Sequence, residues 1–423
     1  MDAGTRRATL ARPSQDRDYL RADVAATISQ VRNSGDAALR ALTLRHDGVR
    51  LDTIEVASET IARAAARVPT ALRDAIERSA ARIAAFHEAG APAPYGVETA
   101  PGVRCERLLR PLDRVGLYVP AGTAPLPSTA LMLAIPAQLA GVREIVLCSP
   151  PRADGGVDDA VCYIAQRFGV ARVFALGGAQ AIAAMAYGTD SVPRCDKLFG
   201  PGSARVDEAK RQVAADPDGV AIDLPAGPSE LMVIADATAD ARFVAADLLS
   251  QAEHGADSQV LLLSDDAGLL ERVARELAQQ LDLLPRRDVA KSALRHARLL
   301  RVGSPAEAVA IANDYAPEHL SLQVSDPRAL LRAVRAAGSI FLGPWSPEAV
   351  GDYGSGTNHV LPTGGAARSS SGVSITSFLR AITVQCLTRD GLAQIGPDAV
   401  EFARAEGLEA HARAVAIRLQ GAA

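Results

Sequence analysis

The sequence predicts an α/β fold of two parallel-sheet units, with a helical N-terminal segment before them and a helical C-terminal extension after them. Three observations carry this expectation. Short continuous apolar runs, such as Glu144-Ile145-Val146-Leu147-Cys148-Ser149, end in turn residues and alternate with Ala-rich helical stretches, the pattern of parallel strands covered on both faces. The alternation breaks at the Pro/Gly-rich stretch Pro225 to Pro228 and then resumes, which divides it in two. At 423 residues the chain is also too long for one small core.

In the first hundred residues apolar side chains recur at helical spacing, as in Ala25-Thr27-Ile28-Val31 and Ala37-Leu39-Leu42. A further helix is expected from Pro69 to Phe86. Val115 to Val119 is the first buried-strand run; Glu144 to Ser149 and Arg172 to Leu176 repeat it, and a helix follows from Ala179 to Tyr187. In the second unit strands are expected at Leu231–Ala235, Gln259–Leu263 and Ser339–Leu342. Helices are expected at Arg242–Glu253, Ala267–Leu281 and Pro305–Asn313. Asp398 to Leu419 has a strong amphipathic pattern, set off by Gly396-Pro397.

Composition narrows the function classes. No apolar run reaches the ~18 residues of a membrane helix. The N-terminus lacks the apolar core of an export signal, so a cytoplasmic location is expected. A net charge of −4 with no long basic run points away from nucleic acid. The five cysteines are scattered without a CxxC pair, which fits reduced thiols and argues against a thiolate-bound metal.

Four of the seven histidines lie in segments dense with other ligating or acid–base side chains. Gln251 and His254 are three apart on a predicted helix, so one face presents both to a metal; a helix end capped by a histidine is the alternative. Glu318-His319 sets a carboxylate beside an imidazole, which can divide two proton transfers, or form a capping loop. Gly351 to His359 places three glycines around Asp352, Asn358 and His359, either a ligand loop or a surface hairpin. Glu406 to His411 is the fourth segment. His46, His87 and His296 read as surface residues. The dinucleotide fingerprint GxGxxG is absent, but Gly177-Gly178-Ala179-Gln180 follows a strand and opens a helix, a weak signal for a phosphate-facing helix N-terminus. No Gx4GK[ST] motif supports NTP hydrolysis, and Ser229 is not in a GxSxG elbow.

Taken together, these segments resemble bacterial histidinol dehydrogenases over nearly the whole chain. The resemblance rests on Val115 to Pro120, Gly177 to Ala181, Phe199 to Gly202, Pro225 to Glu230, Ser250 to Gly255, Pro317 to Leu320, Gly351 to Gly365 and Glu406 to His411, in that order. It implies two Rossmann-like domains: 19–118 with 231–373 as the first, 119–230 as the second on the cofactor side, 1–18 as a tail, and 374–423 as an extension reaching the partner subunit. It implies oxidation of L-histidinol to L-histidine with two NAD through bound L-histidinal, completing histidine biosynthesis. It further implies one zinc per subunit, held by Gln251, His254 and Asp352 of one chain and His411 of the other in a homodimer. Glu318 and His319 match the catalytic pair. Ser229, Gln251, His254, His319, Asp352, His359, Glu406 and His411 match substrate contacts. Tyr118, Gln180 and Ser203 fall at cofactor positions. Ser203 departs from the family, where an Asn is usual, and Ala121 stands where a second Gly is common. A paralogous zinc/NAD dehydrogenase of another small polar alcohol is the alternative. A zinc- and ligand-binding protein without catalysis is a third reading, against which the intact Glu318-His319 pair stands.

Overall fold

The computed structural model describes residues 8–13, 17–121 and 124–420. The chain divides into two compact units: Met1–Gly90 with Leu112–Phe378, and Ala91–Pro111 with Leu379–Ala423.

The chain opens with helices α1 (Arg17–Asp47, bent at Gly35), α2 (Ser58–Arg67) and α3 (Thr70–Ala89). Strands β1 (Tyr95–Ala100) and β2 (Val103–Pro111) belong to the second unit. The first parallel sheet follows: β3 (Arg114–Tyr118), α4 (Pro127–Leu139), β4 (Glu144–Ser149), α5 (Asp159–Arg167), β5 (Arg172–Ala175), α6 (Gly178–Tyr187), β6 (Lys197–Phe199), α7 (Ala204–Ala215) and β7 (Ala221–Ile222). The second comprises β8 (Glu230–Ala235), α8 (Ala241–Ala252), β9 (Gln259–Ser264), α9 (Ala267–Leu281), α10 (Arg287–Leu294), β10 (Arg298–Arg301), α11 (Pro305–Tyr315), β11 (His319–Gln323), α12 (Pro327–Leu331) and β12 (Ser339–Leu342). Helix α13 (Glu348–Tyr353) closes the region.

The sheets run β5-β4-β3-β6-β7 and β10-β9-β8-β11-β12, all parallel. Each therefore reverses direction beside its first strand, at β3/β6 and at β8/β11. Such a switch point leaves a crevice between outgoing connections, the usual ligand position in doubly wound sheets. Burial on both faces explains the continuous apolar runs. In β4, Ile145 and Leu147 face one core with α4 and α5, while Val146 and Cys148 face another with α1 and α6. In β8, Leu231 and Val233 pack on α8 and α9, and Met232 and Ile234 pack on α11.

The structure corrects the expected boundaries. Arg114–Tyr118 pairs with β4 and β6, so it belongs to the first sheet instead of joining 231–373. Both sheets fall in one compact unit. The second unit holds an antiparallel sheet, β1-β2-β13, where β13 (Leu379–Leu387) pairs with β2 from Leu379↔Pro111 to Leu387↔Val103. Its strands are mostly exposed, and β2 carries Arg104, Glu106, Arg107 and Arg110, so none forms the continuous apolar run that marks the buried strands in the sequence. The C-terminal pattern forms two helices, α14 (Arg389–Ala405) and α15 (Glu409–Gln420). Thr388 caps α14 through the Gly391 N–H at 3.0 Å, and Pro397 lies inside that helix. The break comes at Gly407, whose φ of +74° suits a residue without Cβ. No helix among the described residues is long and apolar enough to cross a membrane.

Candidate active site

Two helices and two strand ends build the site. Helix α8, capped by Asp240, presents Gln251 in its last turn, and His254 follows its end. Gln251 is fully buried, yet neither its amide oxygen nor its amide nitrogen has a partner. A buried, unsatisfied amide costs about 1–3 kcal/mol, so such a group points to a ligand. Helix α13 presents Glu348 and Asp352 four residues apart on one face. Gly351 lets α13 approach closely, because a Cβ there would meet the Phe341 ring at 2.7 Å. Ser250 Oγ donates to Glu348 Oε2 at 3.0 Å, which joins α8 to α13.

Donor atoms of His254, Glu348 and Asp352 lie within 4.8 Å of one another. His254 Nε2 is 3.8 Å from Asp352 Oδ2, and about a third of the His254 side chain reaches solvent. A nitrogen and two carboxylates, beside a buried unpartnered amide oxygen, suit a borderline divalent cation such as zinc.

The catalytic candidates enter at the second sheet's switch point but from its amino-terminal edge, opposite the carboxyl-end crevice where such sheets usually hold ligands. Ala316 takes a left-handed conformation (φ 53°) that ends α11, and Pro317 leads into Glu318 and His319 at the start of β11. The Glu230 N–H donates to Glu318 Oε2 at 2.8 Å. His319 Nδ1 lies 3.1 Å from the Glu230 carbonyl and 3.5 Å from Glu318 Oε2. A carbonyl only accepts, so Nδ1 carries a proton in that bond and Nε2 is left facing the site. Nε2 has no hydrogen-bond partner and sits 3.8 Å from Glu348 Oε1 and 4.0 Å from Asp352 Oδ1. His359 Nδ1 donates to the Asp352 carbonyl at 3.0 Å and Nε2 accepts from Thr129 Oγ1 at 3.3 Å, so His359 fixes the end of α13.

The electrostatics describe a pocket short of positive charge. Burial, then mutual repulsion, pushes Glu348 up to about 7. Burial raises Asp352 to about 6, and burial also raises Glu318. Burial opposes charge on His319, but Glu318, Glu348 and Asp352 outweigh it and push its pKa up to about 10. Burial and neighbouring imidazoles lower His254, and burial lowers His359, so both are neutral ligating or accepting groups. A cation among these carboxylates would counter the field that keeps His319 protonated, so cation binding and a basic Nε2 are linked.

The cofactor candidates meet at the carboxyl edge of the first sheet, again at its switch point. Tyr118 ends β3, and its hydroxyl accepts from the Gly178 N–H at 3.0 Å. Gly178 takes φ +64° and opens α6, with Gln180 buried in the first turn. Gly200 follows β6 with φ +123°, and a Cβ there would run into the Tyr118 carbonyl. Ser203 stands at the N-cap of α7 with no side-chain cap bond, so its hydroxyl is not spent on the helix. The buried pair Lys210–Asp223 (2.6 Å) holds this turn from both sides: Lys210 Nζ donates to Gly200 O at 2.7 Å, and the Gly200 N–H donates to Asp223 Oδ2 at 2.8 Å. Lys210→Met would leave Asp223 buried without its cation and is expected to destabilise the protein by about 3–5 kcal/mol in a denaturant titration. A loss below about 1 kcal/mol, as for an exposed pair, would contradict that role.

A family model described as histidinol dehydrogenase matches residues 10–419. The chain belongs to the histidinol dehydrogenase family. The histidinol dehydrogenase of Xanthomonas euvesicatoria pv. vesicatoria is 59% identical over 424 residues, covering 100% of this chain and 98% of that one. That of Photobacterium profundum is 52% identical over 397 residues, covering 94% and 89%. The crystal structure of histidinol dehydrogenase from Elizabethkingia anophelis superposes with a TM-score of 0.94 at 44% identity, covering 100% of this chain and 97% of that one. Succinate-semialdehyde dehydrogenase from Burkholderia pseudomallei shares the fold alone, at 16% identity and a TM-score of 0.51 over 87% of this chain and 90% of that one.

Among the positions expected for a histidinol dehydrogenase, the structure groups His254, Asp352, Glu318, His319 and His359 in one pocket, with Gln251 one turn before His254. Ser229 immediately precedes the Glu230 main chain that holds Glu318 and His319. Glu406 and His411 lie in the second unit, both exposed, at the end of α14 and within α15. Sequence reasoning missed Glu348, although its i, i+4 spacing to Asp352 was a usable signal once 348–353 is seen as a helix. It also misjudged His87, which is buried at 3% exposure with Nε2 3.3 Å from Asn358 Nδ2. Asn358 also donates to the Met132 carbonyl at 2.6 Å and so fixes the loop just before His359.

Proposed function

We propose that this protein oxidises L-histidinol to L-histidine by way of bound L-histidinal, with NAD as hydride acceptor and one zinc per subunit, in histidine biosynthesis. The observation that carries the reading is the unpartnered His319 Nε2 facing the His254, Glu348 and Asp352 donors. Gln251, His254 and Asp352 would hold the metal, with the partner subunit's His411 completing the set in a homodimer. Zinc held there would supply a Lewis-acid centre for the substrate's nitrogen donors and so would help to orient its side chain. Tyr118, Gln180 and Ser203 would hold NAD, which would supply the hydride acceptor for each of two oxidations.

The chain's own groups manage protons. His319 Nε2 takes the proton of the primary alcohol as the carbinol C–H leaves as hydride, which gives the aldehyde. Its Nδ1–H bond to the Glu230 carbonyl keeps the ring in the orientation that aims Nε2 at the substrate. Glu318, raised by burial, takes a proton from water as that water adds to the aldehyde carbon. The proton on His319 passes to the aldehyde oxygen as the water adds, which completes the hydrate. The hydrate then returns one hydroxyl proton to His319 Nε2 as its remaining C–H leaves as hydride to NAD, and the resulting carboxylic acid loses its proton to solvent to give the carboxylate. The Ser229, His359 and Glu406 positions are assigned to substrate contacts.

The reading is tested by NADH absorbance with histidinol, before and after chelation. Histidinol-dependent NADH formation that chelation abolishes and zinc restores is expected; equal turnover by metal-free protein would contradict it. The shared site has a separate test. Inactive His254→Ala and His411→Ala chains, mixed under conditions of subunit exchange, are expected to regain activity, because one site of the mixed dimer carries both defects and the other neither. Demonstrated exchange without recovery would count against a site shared between subunits.

A further inference from the structure

The catalytic pair is held by the main chain of one residue, Glu230, through a 2.8 Å bond to Glu318 and a 3.1 Å bond from His319. The side chain of that same residue is locked from far away. Arg12 grips the Glu230 carboxylate in a fork, Nε to Oε1 at 2.5 Å and the terminal nitrogen to Oε2 at 2.9 Å. The same terminal nitrogen donates to the Tyr315 carbonyl at 2.8 Å, and the guanidinium lies 3.8 Å from the Tyr315 ring centroid. Gln259 fastens the strap a second time: its amide donates to the Ala11 carbonyl at 3.0 Å and accepts from Tyr315 Oη at 2.7 Å. The Gly364 N–H completes the carboxylate's shell at 3.0 Å.

Arg12 thus ties together two segments that meet at the catalytic pair. One is the start of β8, at Glu230. The other is the end of α11, at Tyr315, one residue before the left-handed turn at Ala316 and three before Glu318. The Glu230 side chain is 5% exposed, so without Arg12 its carboxylate would be buried and short of its cation. Such a group moves towards solvent or takes a proton, and either change shifts the peptide groups that hold Glu318 and His319.

We propose that Arg12 is a positioning residue for the Glu318–His319 pair, acting through Glu230 as the anchor of an N-terminal strap; the kinetic part rests on the function proposed above. Gln251, His254, Asp352 and His359, which would grip substrate and metal, sit on other elements. The strap therefore governs turnover more than substrate binding. Arg12→Lys keeps the charge but loses the two-pronged fork, so it stands between wild type and Arg12→Ala.

The test compares zinc-loaded full-length wild type, Arg12→Lys and Arg12→Ala by steady-state kinetics and hydrogen exchange. For Arg12→Ala, kcat with histidinol is expected to fall about tenfold or more, since small misplacements of catalytic groups carry penalties of that size. KM for histidinol is expected to stay within about threefold, the mark of a loss confined to the chemical step. Arg12→Lys is expected to recover part of kcat. Exchange is expected to accelerate in peptides covering 227–231 and 315–320 and to stay unchanged in 144–149. An unchanged kcat would overturn the proposal. So would acceleration spread equally to 144–149 with kcat falling only as far as folded protein is lost. If wild type fails to oxidise histidinol, the proposed function fails. The strap is then judged on exchange alone, and unchanged exchange at 227–231 would overturn it.

Discussion

His319→Asn is expected to lower alcohol oxidation by about 10²–10⁴-fold, the range contributed by a positioned general base. The substitution keeps a side chain able to donate towards the Glu230 carbonyl but removes the basic Nε2 that faces the Glu348 and Asp352 carboxylates. Glu318→Gln is expected to behave differently. It preserves shape, and its amide oxygen can still accept the Glu230 N–H, but it cannot take a proton from water. Oxidation of supplied histidinal should therefore suffer more than the alcohol step. Single-turnover measurements of each half-reaction decide the matter. Equal losses in both half-reactions for Glu318→Gln would remove the division of labour between the two residues.

The second large effect concerns the metal. Asp352→Ala is expected to remove zinc from the purified protein and to abolish turnover, because Asp352 is the carboxylate central to the His254, His319 and His359 contacts. Gln251→Leu is expected to weaken zinc binding while raising thermal stability. It replaces an amide whose two polar atoms are both buried and unpartnered with an apolar group of similar size. Metal content by mass analysis and a thermal melt of the metal-free protein provide two readouts that do not depend on activity. A metal-free Gln251→Leu protein that melts well below metal-free wild type would show that the amide serves the fold instead of a ligand.

Much of this was legible in the sequence for a simple reason. Strands of doubly covered sheets are apolar on both faces, so Glu144–Ser149, Leu231–Ala235 and Gln259–Leu263 announce themselves without alternation. The helix at Ala267–Leu281 has the expected bounds because it is amphipathic. Strands at an exposed antiparallel sheet carry no such signal, and β1, β2 and β13 were invisible for that reason. Gly396-Pro397 misled because proline usually ends a helix, yet here it lies within one. A Cβ on Gly396 would be 3.0 Å from Val415, so the glycine serves the packing of α14 on α15.

The site divides in the same way. Gln251 with His254, and Glu318 with His319, are close in sequence and were found as local clusters. Their assembly into one pocket depends on β8 and β11 being neighbours, which no local pattern states. Glu348 was missed because a six-residue helix between glycines and prolines leaves little periodicity. Glu230 and Arg12 were missed because they are 218 residues apart and meet only in the fold. His87 looked like a surface residue on a charged helix, but α3 turns that side inward against Asn358.

The most direct test of the account is an endpoint measurement with histidinol limiting and NAD in excess, following NADH and analysing the product. A general base at His319 followed by water activation at Glu318 predicts two NADH for each histidinol consumed, histidine as the product, and no free aldehyde trapped by an added carbonyl reagent. One NADH per histidinol with histidinal accumulating would contradict a site that carries out both oxidations.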